Sequence, residues 1–277
     1  MALAGTGTYD GRDVLGVDDN HVPPMLVTTP YGLASSDVAL ADVEGDDGVP
    51  EFAIGRIPAA TEAELTAYLD KLDAYERAAG PWAGRALFLA DNGDNGGDFG
   101  ADSAASAAHL GGTMGVLAAN LAGDVVATRA QVIGALGEGL GLFHYFGHAG
   151  GDRLAAEGLL TSLDADTLTN GDRTPLAMLM TCVAGNYGYP GYDALGARLT
   201  QNPAGGSIAT WASSSLEMQA DSSLLSQEVL RRIADGSHPT FGEAIRSALA
   251  ASRDAGSSLS TRLTYNLFGD PAVALKP

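Results

Sequence analysis

The sequence predicts an α/β fold whose mostly parallel sheet is covered on both faces. Apolar runs at residues 86–90 (ALFLA), 140–146, 176–181 and 206–211 are continuous, not alternating, as in strands buried on both sides. They are interleaved with segments of helical periodicity, the pattern of βαβ units. A chain of 277 residues that is 45% hydrophobic and 18% charged can bury a sizeable core.

Taken in order, residues 1–4 read as a strand end, and residues 2–60 are otherwise loop-rich, with a short strand at 52–57. Residues 61–79 read as a helix. Thr61 and Glu64 form a capping box, Leu65, Tyr68, Leu69, Leu72 and Tyr75 recur at helical spacing, and Gly80-Pro81 stops it. A composition change there divides the chain into an N-terminal α/β subdomain, residues 1–80, and a larger one, residues 81–277. After the strand at 86–90 come a Gly/Asp/Asn loop (91–98), an alanine-rich helix to about His109, a strand at 125–127 and a helix at 130–138. The strands ending near His148 and Cys182 follow. Then come a helix at 193–200, the strand at 206–211, and helices at 221–234 and 240–253, the last opened by a Thr240/Glu243 capping box. Residues 265–267, the turn Gly269-Asp270-Pro271 and residues 272–275 close the chain.

A net charge of −19 argues against nucleic acid, whose phosphates need a basic face, and against an anionic membrane surface. No apolar run approaches the ~20 residues of a membrane-spanning helix, so membrane insertion is not expected. The acidic stretch Asp42, Glu44, Asp46 and Asp47 is a candidate structural calcium loop; the plainer reading is a solvated turn. Cys182 is the only cysteine, which excludes an intrachain disulfide and a cysteine-based zinc site. The start, MALAGTGTYD, lacks the features of a signal peptide.

In open α/β sheets, sites lie beyond the carboxyl ends of the strands. His148 and Cys182 each follow such a strand, and 34 residues separate them, room for one crossover connection (182 − 148). A thiol beside a histidine is a nucleophile beside its base. The backbone N–H groups of Cys182 and Ala149 are candidate oxyanion donors. The plainer alternative is a packed cysteine and a loop histidine. A metallohydrolase would draw on Asp91, Asp94, Asp98, His144 and His148. A serine hydrolase is disfavoured because no G-x-S-x-G elbow occurs.

Several pieces in fixed order resemble one family. They are Gly7-Thr8-Tyr9-Asp10, Ser36-Asp37, Glu44-Gly45-Asp46-Asp47, IGRIP at 54–58 and KLDAYE at 71–76. Phe146-Gly147-His148, Leu168-Thr169-Asn170-Gly171, MTCVAG at 180–185, GGSIA at 205–209 and Gly269-Asp270-Pro271 complete the series. Together they resemble the gingipain-type cysteine peptidases, relatives of the caspases. The resemblance implies a caspase-like three-layer sandwich preceded by a smaller α/β subdomain. It implies a peptidase acting on peptide or protein substrates, with Cys182 as nucleophile, His148 as base, a thioester acyl-enzyme and no catalytic cofactor. It further implies secretion or display at the cell surface as part of a longer precursor, whose signal lies outside this chain. The match starts at what looks like the end of the family's first strand, so the chain reads as an excised or truncated catalytic domain. Ala149 replaces the second glycine of the family's usual Gly-His-Gly. Asp91 is a candidate orienting or pocket acid, and Trp211 and Glu217 are candidates for the substrate pocket. A non-catalytic binding or assembly domain of the same fold is the alternative.

Overall fold

The protein is described from a computed structural model covering residues 1–17 and 20–276. Strand β1 (Ala2–Ala4) precedes a hairpin of β2 (Met25–Thr29) and β3 (Gly32–Ser36), helix α1 (Val38–Ala41) and β4 (Gly55–Ile57). Next are α2 (Glu62–Arg77), β5 (Arg85–Ala90), α3 (Phe99–Ala108), β6 (Gly115–Asn120), α4 (Val125–Glu138) and β7 (Leu142–Phe146). The short strands β8 (Ala149–Gly150), β9 (Arg153–Leu154) and β10 (Leu160–Thr161), with α5 (Ser162–Thr167), lead to β11 (Leu176–Met180). The chain ends with α6 (Leu195–Gln201), β12 (Ala209–Ser213), α7 (Gln219–Asp235), α8 (Phe241–Asp254), α9 (Leu259–Thr264) and β13 (Tyr265–Phe268).

Eight strands make one sheet in the order β1-β4-β13-β12-β11-β7-β5-β6. Every pairing in it is parallel except β12 with β13. Residues 1–80 enter this sheet through β4, whose Arg56 pairs with Phe268 of β13. Side chains alternate between two cores, as the strand period of two requires. Phe88, Leu142, Phe146, Met178 and Met180 pack toward α3, α7 and α8. Leu87, Leu89, Phe143, Tyr145 and Leu179 pack toward α4, α5 and α6. The result is the three-layer, mostly parallel α/β sandwich expected.

Some elements differ from the sequence reading. The strand expected at 125–127 is β6, ten residues earlier (125 − 115), and Val125 instead opens α4 behind the Asp124 cap, whose carboxylate accepts the Ala127 N–H. β6 was hard to see because it is an edge strand with mostly exposed residues. The β2–β3 hairpin lies inside the stretch read as loop. Its Met25, Leu26 and Leu33 are exposed, so its apolar pattern does not mark a buried face. In α2, Leu69 faces solvent and Lys71 is buried instead, its ammonium held by the carbonyls of Thr200, Asn202, Gly205 and Ser207. Near the chain end Ala274 makes a single bridge to Thr240. In the candidate calcium loop two of the four carboxylates meet protein groups. Asp42 accepts the Gly48 N–H, and Asp47 pairs with Arg253 at 2.5 Å. Among the described residues no group of three or more His, Cys, Asp or Glu side chains is placed to hold a metal ion.

Two buried polar groups carry energetic weight. Arg56 is fully buried and makes a two-bond pair with Asp37 (2.6 and 2.8 Å). Its remaining nitrogen donates to the carbonyls of Gly5 and Val22, and its guanidinium lies 4.4 Å from the Tyr187 ring centre. Asp37→Ala leaves an uncompensated buried cation and is expected to cost about 3–5 kcal/mol in urea unfolding. His144, fully buried and stacked on Phe88, meets Ser226 Oγ at 2.7 Å. Burial lowers its pKa from 6.5 to about 3. The folded protein therefore binds one proton fewer than the unfolded chain across that window, and stability drops as pH falls through it. Stability measured from about pH 6 to about pH 4 is expected to fall less steeply in His144→Phe, by up to about 1.4 kcal/mol per pH unit.

Candidate active site

The geometry of the site follows from one register. β7 and β11 are parallel neighbours, with Phe146 opposite Met180. His148 and Cys182 each lie two residues past that last pair, so both leave the same edge of the sheet. β5 flanks β7 with Ala90 opposite Phe146, which puts Asp91 at the same edge. An open cleft lies there, lined by His148 and Cys182 together with Phe99, Met180, Glu217 and Gln219.

The His148 backbone is held from three sides. Its N–H donates to Asp91 Oδ2 (3.1 Å), and its carbonyl accepts from Tyr145 Oη (2.6 Å) and the Ala155 N–H (2.8 Å). Gly147 (φ +155°) is required beside them, since a Cβ there would overlap Asp91 and the Tyr145 hydroxyl. The imidazole is half exposed and sits edge-on to Phe99 at 5.0 Å. Its Nε2 lies 3.1 Å from Asp94 Oδ2, in a tight Asp94–Gly97 turn whose Gly96 N–H donates to Asp94 Oδ1.

Cys182 opens a strained loop. Val183 has φ +47°, and the Ala184 N–H reaches back to the Cys182 carbonyl at 2.6 Å, a γ-turn. A β-branched residue there costs roughly 1–3 kcal/mol. The segment after β12 holds it in place. Ser215 accepts the Val183 N–H (2.9 Å), Ser213 accepts the Gly185 N–H (2.8 Å), and the Glu217 N–H donates to Cys182 Sγ (3.3 Å). Burial raises the thiol pKa; the Glu217 N–H opposes that shift and the Glu217 charge adds to it.

The sequence-derived candidates separate accordingly. His148, Cys182 and Glu217 line one cleft. Asp91 is buried and holds the backbone of His148, while the carboxylate on its ring is that of Asp94. Trp211 is not in the cleft. It is fully buried in β12, packed on Tyr265, because its strand position faces the core. Ala149 pairs with Leu154 in the β8–β9 hairpin. The Ala155 N–H on the His148 carbonyl makes that a non-hydrogen-bonded pair, so the Ala149 N–H turns away from β9. His144 lies inside the sandwich and Asp98 caps α3, so neither joins Asp91, Asp94 and His148 as a metal ligand. Gln219 went unread in the sequence. It bridges the cleft to Asp102 of α3, whose carboxylate also accepts from Ser223 Oγ at 2.9 Å. Only the packing of α7 against α3 brings it there.

A caspase-like α/β sandwich with a histidine and a cysteine at adjacent strand ends has the architecture of a cysteine peptidase. The sequence profile of peptidase family C25 matches residues 1–276, and the chain belongs to that family. Among solved structures, it superposes on the Arg-specific cysteine proteinase gingipain R with a TM-score of 0.81 at 21% identity, over 99% of this chain and 63% of that one. The complex of pro- and mature domains of RgpB from Porphyromonas gingivalis gives 0.79 at 22% identity, over 99% and 64%. Separase in the Saccharomyces cerevisiae separase–securin complex gives 0.55 at 14% identity, over 80% and 14%. This chain thus spans less than two thirds of the gingipain chains it matches. No curated protein sequence matches it.

Alkylation of Cys182 by iodoacetamide in the folded protein reads the thiol directly. Its pH midpoint is expected above the ~8.5 of a free cysteine, because burial disfavours the thiolate. A midpoint at or below that value would contradict the burial.

Proposed function

We propose that this chain is the catalytic domain of a cysteine endopeptidase in which Cys182 is the nucleophile and His148 the base. The observation that carries the reading is the shared cleft, with both side chains two residues beyond the Phe146–Met180 pair. Membership of family C25 supports it.

In the free enzyme partial burial keeps the Cys182 thiol largely protonated, so it is deprotonated as it attacks. His148 takes the thiol proton while Sγ bonds to the scissile carbonyl carbon. The tetrahedral oxyanion collapses, the C–N bond breaks, and the imidazolium returns that proton to the leaving amine. Water, activated by the same imidazole, then hydrolyses the thioester and frees the thiol. Asp94 on Nε2 makes that nitrogen the N–H donor and leaves Nδ1 as the basic nitrogen. Asp91 fixes the height of the ring through the backbone. The Ala149 and Cys182 N–H groups are the oxyanion donors in this scheme, and the hairpin register that turns the Ala149 N–H off β9 supports its part.

The substrates are peptides or proteins, and the domain works within a longer exported precursor. The gingipain complex of pro- and mature domains supports that setting. Among the described residues no helix is long and apolar enough to cross a membrane.

Cys182→Ala is expected to lower kcat/KM on a peptide library by more than ~10³-fold, measured by mass spectrometry of the products. Unchanged cleavage would reject the assignment. The alternative is a binding module of the same fold, favoured by the burial that suppresses the thiolate. It predicts alkylation of Cys182 without turnover by the unmodified chain.

A further inference from the structure

The segment Ser213–Glu217 lies between the nucleophile loop and α9. On one side its backbone meets residues 182–185, as described above. On the other, Ser214 N–H donates to the Thr264 carbonyl (2.9 Å) and Ser214 Oγ to the Ser35 carbonyl (2.5 Å). The Glu217 side chain folds back across this segment toward α9. Oε1 accepts from Ser213 Oγ (2.6 Å) and Thr264 Oγ1 (2.5 Å), and Oε2 from Thr261 Oγ1 (2.7 Å). Three hydroxyls thus hold a carboxylate whose own backbone N–H points at Sγ.

We propose that Glu217 is a positioning residue for Cys182: its carboxylate clasps the 213–217 segment to α9, and the clasp holds the Glu217 N–H as a standing donor to the nucleophilic sulfur. The inference rests on the reading of Cys182 as nucleophile only for its catalytic meaning.

The arrangement acts on the sulfur in two opposed ways. The N–H stabilises the thiolate, and the carboxylate behind it repels the same charge. The other titratable groups around the sulfur are His148 across the cleft and Tyr265 of β13. Tyr265 is buried, donates to Ser222 Oγ at 2.9 Å and has its phenol pKa pushed well up, so it stays neutral. Asp221 of α7 faces the clasp through Thr261 Oγ1 at 3.3 Å and raises the Glu217 pKa further, after burial. A carboxylate serving only as a fold anchor would leave thiol acidity unchanged when altered. A clasp that aims a donor while carrying a charge makes two substitutions move it in opposite directions.

The test is the pH profile of iodoacetamide alkylation, read on the folded chain without substrate. Glu217→Gln keeps the length and polar ends of the clasp and removes its charge; the midpoint is expected to fall by about one pH unit. Thr261→Val keeps the charge and removes a clasp donor; the midpoint is expected to rise. Thr261→Ser, which restores the hydroxyl, is expected to return it to the wild-type value. Near-ultraviolet circular dichroism checks folding, and if Thr261→Val does not fold, Ser213→Ala removes a donor from the other side with the same expected rise. Midpoints that stay fixed in both variants, or move the same way in both, overturn the proposal. This readout needs no turnover. A failed clasp with intact cleavage, and a sound clasp without cleavage, are therefore distinguishable.

Discussion

The parallel register of β7 on β11 is the constraint on which the site depends. Opposing Phe146 to Met180 puts two loop residues at one edge, at one height, on neighbouring strands. A slip of one residue would turn every side chain of one strand to the opposite core and carry its loop out of reach. The register is fixed by burial: Leu142, Phe146, Met178 and Met180 on one face and Phe143, Tyr145 and Leu179 on the other are matched to different helices. The reactive groups themselves contribute little to that choice. They are carried to their places by residues with no chemistry of their own.

Around that frame the site is built from backbone more than from side chains. Asp91, Tyr145 and Ala155 hold the main chain of His148, and Ser213, Ser215 and Glu217 hold the loop of Cys182. The strain at Val183 persists because those contacts over-determine the turn.

What could be read in advance follows the same division. The strands carrying His148 and Cys182 were legible because both of their faces are buried, giving unbroken apolar runs. Helix α8 was legible through its Thr240 cap, which accepts the Glu243 N–H. β6 and the β2–β3 hairpin were not, because an exposed edge needs no hydrophobic pattern. Asp91 and Asp94 sit in one loop of alternating acids, asparagines and glycines, and composition cannot say which carboxylate meets the ring and which the backbone. The inward turn of the Glu217 side chain depends on Thr261 and Thr264, more than forty positions away along the chain, so no local pattern could carry it. Trp211 was misplaced for a simpler reason: proximity in sequence to the cleft says nothing about which face of β12 a ring occupies.

The Arg56–Asp37 pair joins more than two elements. Tyr187, in the loop that follows Cys182, donates its hydroxyl to Asp37 Oδ1 at 2.8 Å across 150 positions of chain, and its ring lies under the Arg56 guanidinium. The loop beyond the nucleophile is thereby fastened to the N-terminal part of the chain. A substitution at Asp37 takes away the acceptor of the Tyr187 hydroxyl as well as the partner of the buried guanidinium, so its effect reaches the surroundings of Cys182.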